Sequence, residues 1–187
     1  MFIQTEPTPN PATLKFLPGR EVAGARPADY RSAGEAQESP LAAALFQIDG
    51  VANVFLGSDF VSVTNTGGDW AHVKPSVLGV IMEHFVSGAP VFADGGQAAT
   101  IHDSGEFFED SDAATVEQIK ELLDTRVRPA VAGDGGDIRF RGFKDGVVYL
   151  AMQGACSGCP SSTATLKHGI QNLLRHYLPE VQAVEQV

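Results

Sequence analysis

Cysteine is scarce in this chain: of 187 residues only two are Cys, both in one Cys-x-x-Cys, Cys156 and Cys159. A disulfide framework uses more cysteines, spaced further apart, so the pair points to metal or redox chemistry in a reducing compartment. Long apolar runs are missing too, and nothing approaches the roughly 20 residues that cross a bilayer. The first residues, Met1-Phe2-Ile3-Gln4-Thr5-Glu6-Pro7, have neither the basic start and apolar stretch of a signal peptide nor the Arg- and Ser-rich character of a transit peptide. A cytoplasmic protein without a membrane partner is the expectation. Positive charge is short as well: 13 Lys and Arg stand against 23 Asp and Glu, a net charge of −10. Phosphate binding needs a basic surface, so nucleic acid is excluded as a partner.

What is present is ordinary globular material, 43% apolar and 19% charged. The charge is unevenly placed. Residues 1–111 hold 14 acidic and 5 basic side chains, whereas residues 112–187 hold 9 and 8. Two units with different surfaces are therefore expected, in an α+β fold of two small domains: 1–90, an acidic flexible linker over 91–112, and 113–187.

In the front unit, strands are predicted at Phe2–Thr5 and Thr13–Leu17, separated by the turn-forming Pro7, Pro9 and Pro11. Gly24 to Ser39 reads as an irregular loop. Ser39-Pro40 reads as an N-cap and first helical residue opening a short helix through Phe46. Val51–Leu56 and Phe60–Asn65 form a hairpin through Gly57-Ser58-Asp59. Asp69 then caps a helix to about Phe85 with Val73, Val77, Val80, Ile81 and Phe85 on one face. Helices on one side of a small mixed sheet follow. Trp70, at the start of an amphipathic helix, is read as core, and Thr8-Pro9-Asn10-Pro11 as a rigid turn.

From Ala93 to Ala113 the periodicity dissolves into acidic sequence without Lys or Arg, read as a solvated linker in preference to an acidic docking strip. The tail unit reads α-β-β-α-β. A stripe of Val116, Ile119, Leu122, Leu123, Val127 and Val131 marks a helix with a bend near Pro129. Gly133 to Asp137 is a turn, and its Asp134 and Asp137 are read as turn residues before acids of a site. Strands Ile138–Phe143 and Val147–Met152 are joined by Lys144-Asp145-Gly146. The loop Gly154-Ala155-Cys156-Ser157-Gly158-Cys159-Pro160-Ser161-Ser162 precedes a helix with Leu166, Ile170, Leu173, Leu174 and Tyr177 on its apolar face. Val181–Val187 returns as an edge strand.

The spacing Cys-x-x-Cys lets both sulfurs reach one metal centre, and a helix N-terminus beside them favours thiolate. Three chemistries compete. A thioredoxin-like redox pair follows a strand of a βαβ unit, whereas here an antiparallel hairpin precedes it. Structural zinc, as a clasp between two chains, wants four ligands. The histidines supply none: His168 lies nine residues beyond Cys159, about two and a half turns along the helix. His176 is further, and His72, His84 and His102 lie in the other half. An iron–sulfur cluster takes four cysteines in total, so two per chain bridge two chains or borrow ligands.

Arg128-Pro129, Asp134-Gly135-Gly136-Asp137 and the Gly154 to Ser162 loop together resemble the NifU-like C-terminal domain. Gln4-Thr5-Glu6-Pro7-Thr8-Pro9-Asn10-Pro11, Ser39-Pro40-Leu41-Ala42, Phe55-Leu56-Gly57-Ser58-Asp59-Phe60 and Asp69-Trp70 are similar to the N-terminal domain of the Nfu scaffold family. The resemblance implies a non-enzymatic scaffold and carrier. It would bind a labile 4Fe-4S cluster, with a 2Fe-2S form left open, through Cys156 and Cys159, bridged within a homodimer. The cluster would come from upstream assembly proteins and go to apo iron–sulfur clients. A thiol–disulfide oxidoreductase is the alternative.

Overall fold

The structure, a computed structural model, describes residues 1–67, 69–93, 105–157 and 160–187, the side chains of 160–162 excepted. The chain falls into two compact units, Met1–Ile101 and His102–Val187.

The first unit is a sheet covered by helices. Its strands are β1 (Gln4–Pro7), β2 (Thr13–Leu17), β3 (Ala28–Tyr30), β4 (Val51–Leu56) and β5 (Val61–Asn65). They lie in the order β1-β2-β5-β4-β3, and every pairing is antiparallel. This corrects the expected mixed sheet: even β3 and β4, joined through a helical connection, pair antiparallel. The first strand begins later than expected and ends on Pro7, while Phe2 is exposed. Proline is tolerated because β1 is an edge strand, where the missing N–H costs no ladder bond.

The loop expected over Gly24 to Ser39 contains β3 and a 3-10 turn at Glu35–Glu38. Tyr30 closes this segment on itself by donating its hydroxyl to Glu38 at 3.0 Å. Such a three-residue strand is too short to carry a periodic signal. The Thr8 hydroxyl bonds the carbonyls of Asn10 and Thr13, at 2.8 and 3.0 Å, which makes the Pro-rich turn rigid as expected.

Helix α1 (Pro40–Leu45) starts at the predicted cap, where the Ser39 hydroxyl accepts from the Ala42 amide at 3.2 Å. The same hydroxyl donates to the Val91 carbonyl at 2.7 Å, so one fully buried serine ties the helix start to the chain beyond the next helix. That helix, α2 (Trp70–Ser87), is capped by Asp69, which accepts from Ala71 N at 2.9 Å. Val77, Ile81 and Phe85 pack with Leu41 and Leu45 of α1 onto Phe16, Val54, Leu56, Val61 and Val63 of the sheet. Trp70 lies against this core, 6.3 Å from the ring of Phe16.

The second unit opens with α3 (Ala113–Leu122), a π-helical turn at Leu123–Val127, and α4 (Arg128–Gly133). The predicted bend takes the form of that π turn. Pro129 has no N–H to give, and its ring crowds the preceding turn, so the hydrogen-bond ladder loosens just ahead of it. Strands β6 (Gly136–Lys144) and β7 (Val147–Gly154) form a hairpin, helix α5 (Pro160–Tyr177) crosses over, and β8 (Ala183–Gln186) pairs with β7 in parallel. Ile138, Phe140, Val148, Leu150 and Met152 meet Val116, Ile119, Val131, Ile170 and Leu174 in one core. Tyr177, expected on the apolar face, is instead exposed, with the Arg126 guanidinium 5.3 Å from its ring centre. One position on, Leu178 fills the core in its place.

Of the stretch read as an acidic linker, residues 94–104 lie outside the described residues. Residues 105–112 are held to the second unit. Phe107 donates to Arg141 O at 3.1 Å and accepts from Phe143 N at 2.9 Å, and Glu106 pairs with Lys120.

Two outcomes follow. Ser39→Ala removes a cap and leaves the Val91 carbonyl unpaired, so urea unfolding of the first unit should shift by about 1–3 kcal/mol. His84 is buried on α2, its Nε2 without a partner, and burial lowers its pKa below the ordinary 6.5. A depressed histidine pKa means the unfolded chain takes a proton that the folded one refuses. Stability should therefore fall as pH drops below 6.5. The urea midpoint of His84→Phe should fall less than wild type between pH 7.5 and 5.5.

Candidate functional site

The site is positioned by the turn of the second hairpin. Asp145 and Gly146 both take positive φ, 51° and 77°, the two-residue turn whose twist matches the strands. That turn sets the register, and the register pairs Asp137 with Gln153 and Gly136 with Gly154 at the far end. The stretch expected as a turn from Gly133 to Asp137 is thus divided three ways. Gly133 ends α4, Asp134 and Gly135 turn, and Gly136 and Asp137 already belong to β6. Beyond Gly154 the chain folds back across the start of β6. Ala155 N donates to Gly135 O at 3.1 Å, and Ser157 donates from both its amide and its hydroxyl to Gly154 O at 3.1 and 2.9 Å. From α5, the Thr163 hydroxyl donates to Cys156 O at 2.8 Å.

Held from both sides, Cys156 is 6% exposed and its side chain belongs to the core of the unit. Its sulfur lies against Gly136: a methyl group on that glycine would stand 2.7 Å from Sγ and 2.6 Å from the Gln153 carbonyl oxygen. Burial pushes the Cys156 thiol up to about 12, with the charges of Asp134 and Asp137 adding to the effect. The expectation that a helix N-terminus would favour thiolate is corrected at this residue. Here the sulfur is turned into the core, where loss of water outweighs a dipole several residues away. Cys159 and Gly158 lie outside the described residues. Helix α5 begins at Pro160, as expected.

Beside the loop is a charged pair. Arg128 grips Asp137 in two-pronged fashion, Nε to Oδ1 at 2.8 Å and Nη2 to Oδ2 at 3.0 Å, and reaches Asp124 from Nη1 at 3.0 Å. The bond to Asp137 raises the guanidinium pKa still further, against the opposing effect of burial. Asp137 is buried, and its strand neighbour Gln153 is buried with Oε1 unpartnered. Arg128 and Asp137 had only the resemblance and a turn reading to mark them, because a bond from helix to strand leaves no periodic trace. Gly136 was hidden inside the same reading.

The histidines have surroundings of their own. His72 bonds Asp69 at 3.1 Å, His84 is in the first unit's core, and His176 sits edge-on to Tyr177 at 5.0 Å. His102 lies outside the described residues. Among the described residues, no group of three or more His, Cys, Asp or Glu is arranged to hold a metal ion.

Comparison with known proteins assigns this two-unit α+β chain to a family. The model for the scaffold protein Nfu/NifU N terminal matches residues 3–88, and that for the NifU-like domain matches residues 119–185. A Drosophila ananassae protein, the NFU1 iron-sulfur cluster scaffold homolog, mitochondrial, is 52% identical over all of this chain and 64% of its own length. The Homo sapiens protein of the same name is 50% identical over 100% of this chain and 72% of its own. NifU-like protein 5, mitochondrial, of Arabidopsis thaliana is 51% identical, covering 100% and 68%. A solved NifU-like protein from Saccharomyces cerevisiae is 25% identical over 50% of this chain and 85% of its own, with a TM-score of 0.45. The chain belongs to the Nfu family of iron–sulfur cluster scaffold proteins. It spans just under two thirds of the length of the Drosophila relative.

The expected cytoplasmic location is overturned, since these relatives are named as mitochondrial proteins and point to the mitochondrion. That expectation was drawn from Met1 to Pro7, of which Gln4–Pro7 form β1.

The charged pair makes a clear prediction. Arg128→Ala leaves Asp137 buried without its counter-charge and should cost about 2–4 kcal/mol. Arg128→Lys keeps the charge but loses the fork, and should fall between. Urea unfolding followed at Tyr149 or by circular dichroism measures both.

Proposed function

We propose that this chain is a scaffold and carrier that takes a labile 4Fe-4S cluster as cargo on Cys156 and Cys159 of two chains and passes it to apo client proteins. The observation that carries this reading is the Cys-x-x-Cys loop ahead of α5, in a chain whose whole length aligns with part of proteins named as iron–sulfur cluster scaffolds. The donor set fits the cargo: two soft thiol ligands per chain, four in a pair of chains, with no other cysteine in either. Each iron–sulfur ligand bond displaces the thiol proton to solvent. A cluster shared between two chains with few protein ligands is easily given up, which suits delivery more than storage. The work is binding and release, without turnover of an organic substrate. Partners are upstream assembly proteins and apo iron–sulfur clients, and the first unit contributes to their choice.

The thiol–disulfide alternative asks for an exposed nucleophile at Cys156, where the structure holds a buried thiol.

Anaerobic reconstitution with iron and sulfide should convert monomers to dimers in analytical ultracentrifugation. The loaded protein should reactivate an apo 4Fe-4S enzyme with a chelator present to intercept free iron. Cys156→Ala and Cys159→Ala should each abolish stable binding and transfer while circular dichroism stays native. Full transfer by either variant, or a loaded monomer without any added small thiol, would count decisively against the proposal.

A further inference from the structure

We infer that Gly136 is a positioning residue for the cluster site: its bare Cα is the socket in which the sulfur of Cys156 rests when no cluster is bound, so that loading begins by withdrawing the sulfur from the core. The inference rests on the reading of Cys156 as a cluster ligand and adds the state from which that ligand starts.

Three observations carry it. First, the contact is too close for any side chain at 136: a methyl group there would lie 2.7 Å from Sγ and 3.3 Å from Cβ of Cys156. Gly136 has no positive φ, unlike Gly135 and Gly154 on either side of the contact, at 81° and 66°. Its glycine therefore answers to space and not to backbone shape. Second, Cys156 is 6% exposed and packs with the apolar residues of the second unit. A residue so covered, its sulfur packed against Gly136, leaves little surface for an iron that a second chain must also reach. Third, the residues that close the socket are bonded to one another. Ala155 N holds Gly135 O at 3.1 Å, and the Thr163 hydroxyl holds Cys156 O at 2.8 Å. The sheathed position is thus a built one, and leaving it means a change in the loop's own hydrogen bonds or in the Cys156 rotamer.

Alkylation of the thiol by iodoacetamide tests this without iron, so its failure is separate from failure of the ligand reading. A sulfur–carbon bond forms, iodide leaves and the thiol proton passes to buffer. The Cys159→Ser full-length chain has Cys156 as its one cysteine. In it the native protein should react on the order of 100-fold more slowly than the same chain in urea, since only an accessible thiolate attacks. Adding Gly136→Ala evicts the sulfur and should raise the native rate at least tenfold, with circular dichroism unchanged and the rate in urea the same. A native rate within a few-fold of the unfolded one overturns the inference, as does a folded Gly136→Ala chain that alkylates no faster. Should Gly136→Ala unfold the unit through the Gln153 carbonyl, the ratio of native to unfolded rates in Cys159→Ser decides alone.

Discussion

The register of one hairpin organises the second unit. With Asp145 and Gly146 in the turn, the two strands run out in step until Gly136 faces Gly154. A slip of one residue would turn each strand's apolar set to the wrong face. It would also part the two glycines whose missing side chains let the cysteine loop fold back over β6. The single irregularity lies at Arg141, the extra residue between the pairs Phe140–Leu150 and Gly142–Tyr149. That bulge keeps Phe143 in the core along with Phe140, and Phe107 pairs with the backbone beside it. Its ring covers Gly142, where a methyl group would stand 2.4 Å away.

The environment at the end of this hairpin is apolar toward the sulfur and charged around it. A free thiol behaves as a small hydrophobe when enclosed, and Cys156 is used that way, as part of the core. Asp134 and Asp137 strengthen the preference for the neutral thiol, while Arg128 makes Asp137 tolerable where it is buried. The same residue is thus well packed as a thiol, and the ligand role proposed for it would need a different position of that sulfur.

Much of the first unit could be read along the chain because its signals are local. Ser39 before Pro40 and Asp69 before Trp70 are caps recognisable within three residues, and both helices start where those caps place them. Signals shorter than a period were lost. β3 has three residues, and the bond from Tyr30 to Glu38 has no spacing rule to announce it. Tyr177 illustrates the opposite error: it follows the helical stripe, yet the helix ends there and Leu178 turns inward instead.

By itself the sequence determined where the thiols stand, since Cys156 and Cys159 are the only two. It also determined the α-β-β-α-β order of the tail, through the Asp-Gly turn, the helical stripes and the proline stops. Tertiary structure decided the state of Cys156. Only the pairing of β6 with β7 brings Gly136 under Sγ, and only the packing of α4 on β6 brings Arg128 to Asp137. Burial then raises the thiol pKa that a helix N-terminus was expected to lower. The reason is range: caps, turns and ligand types are written within a few residues, whereas burial and close approach depend on segments that meet only after folding.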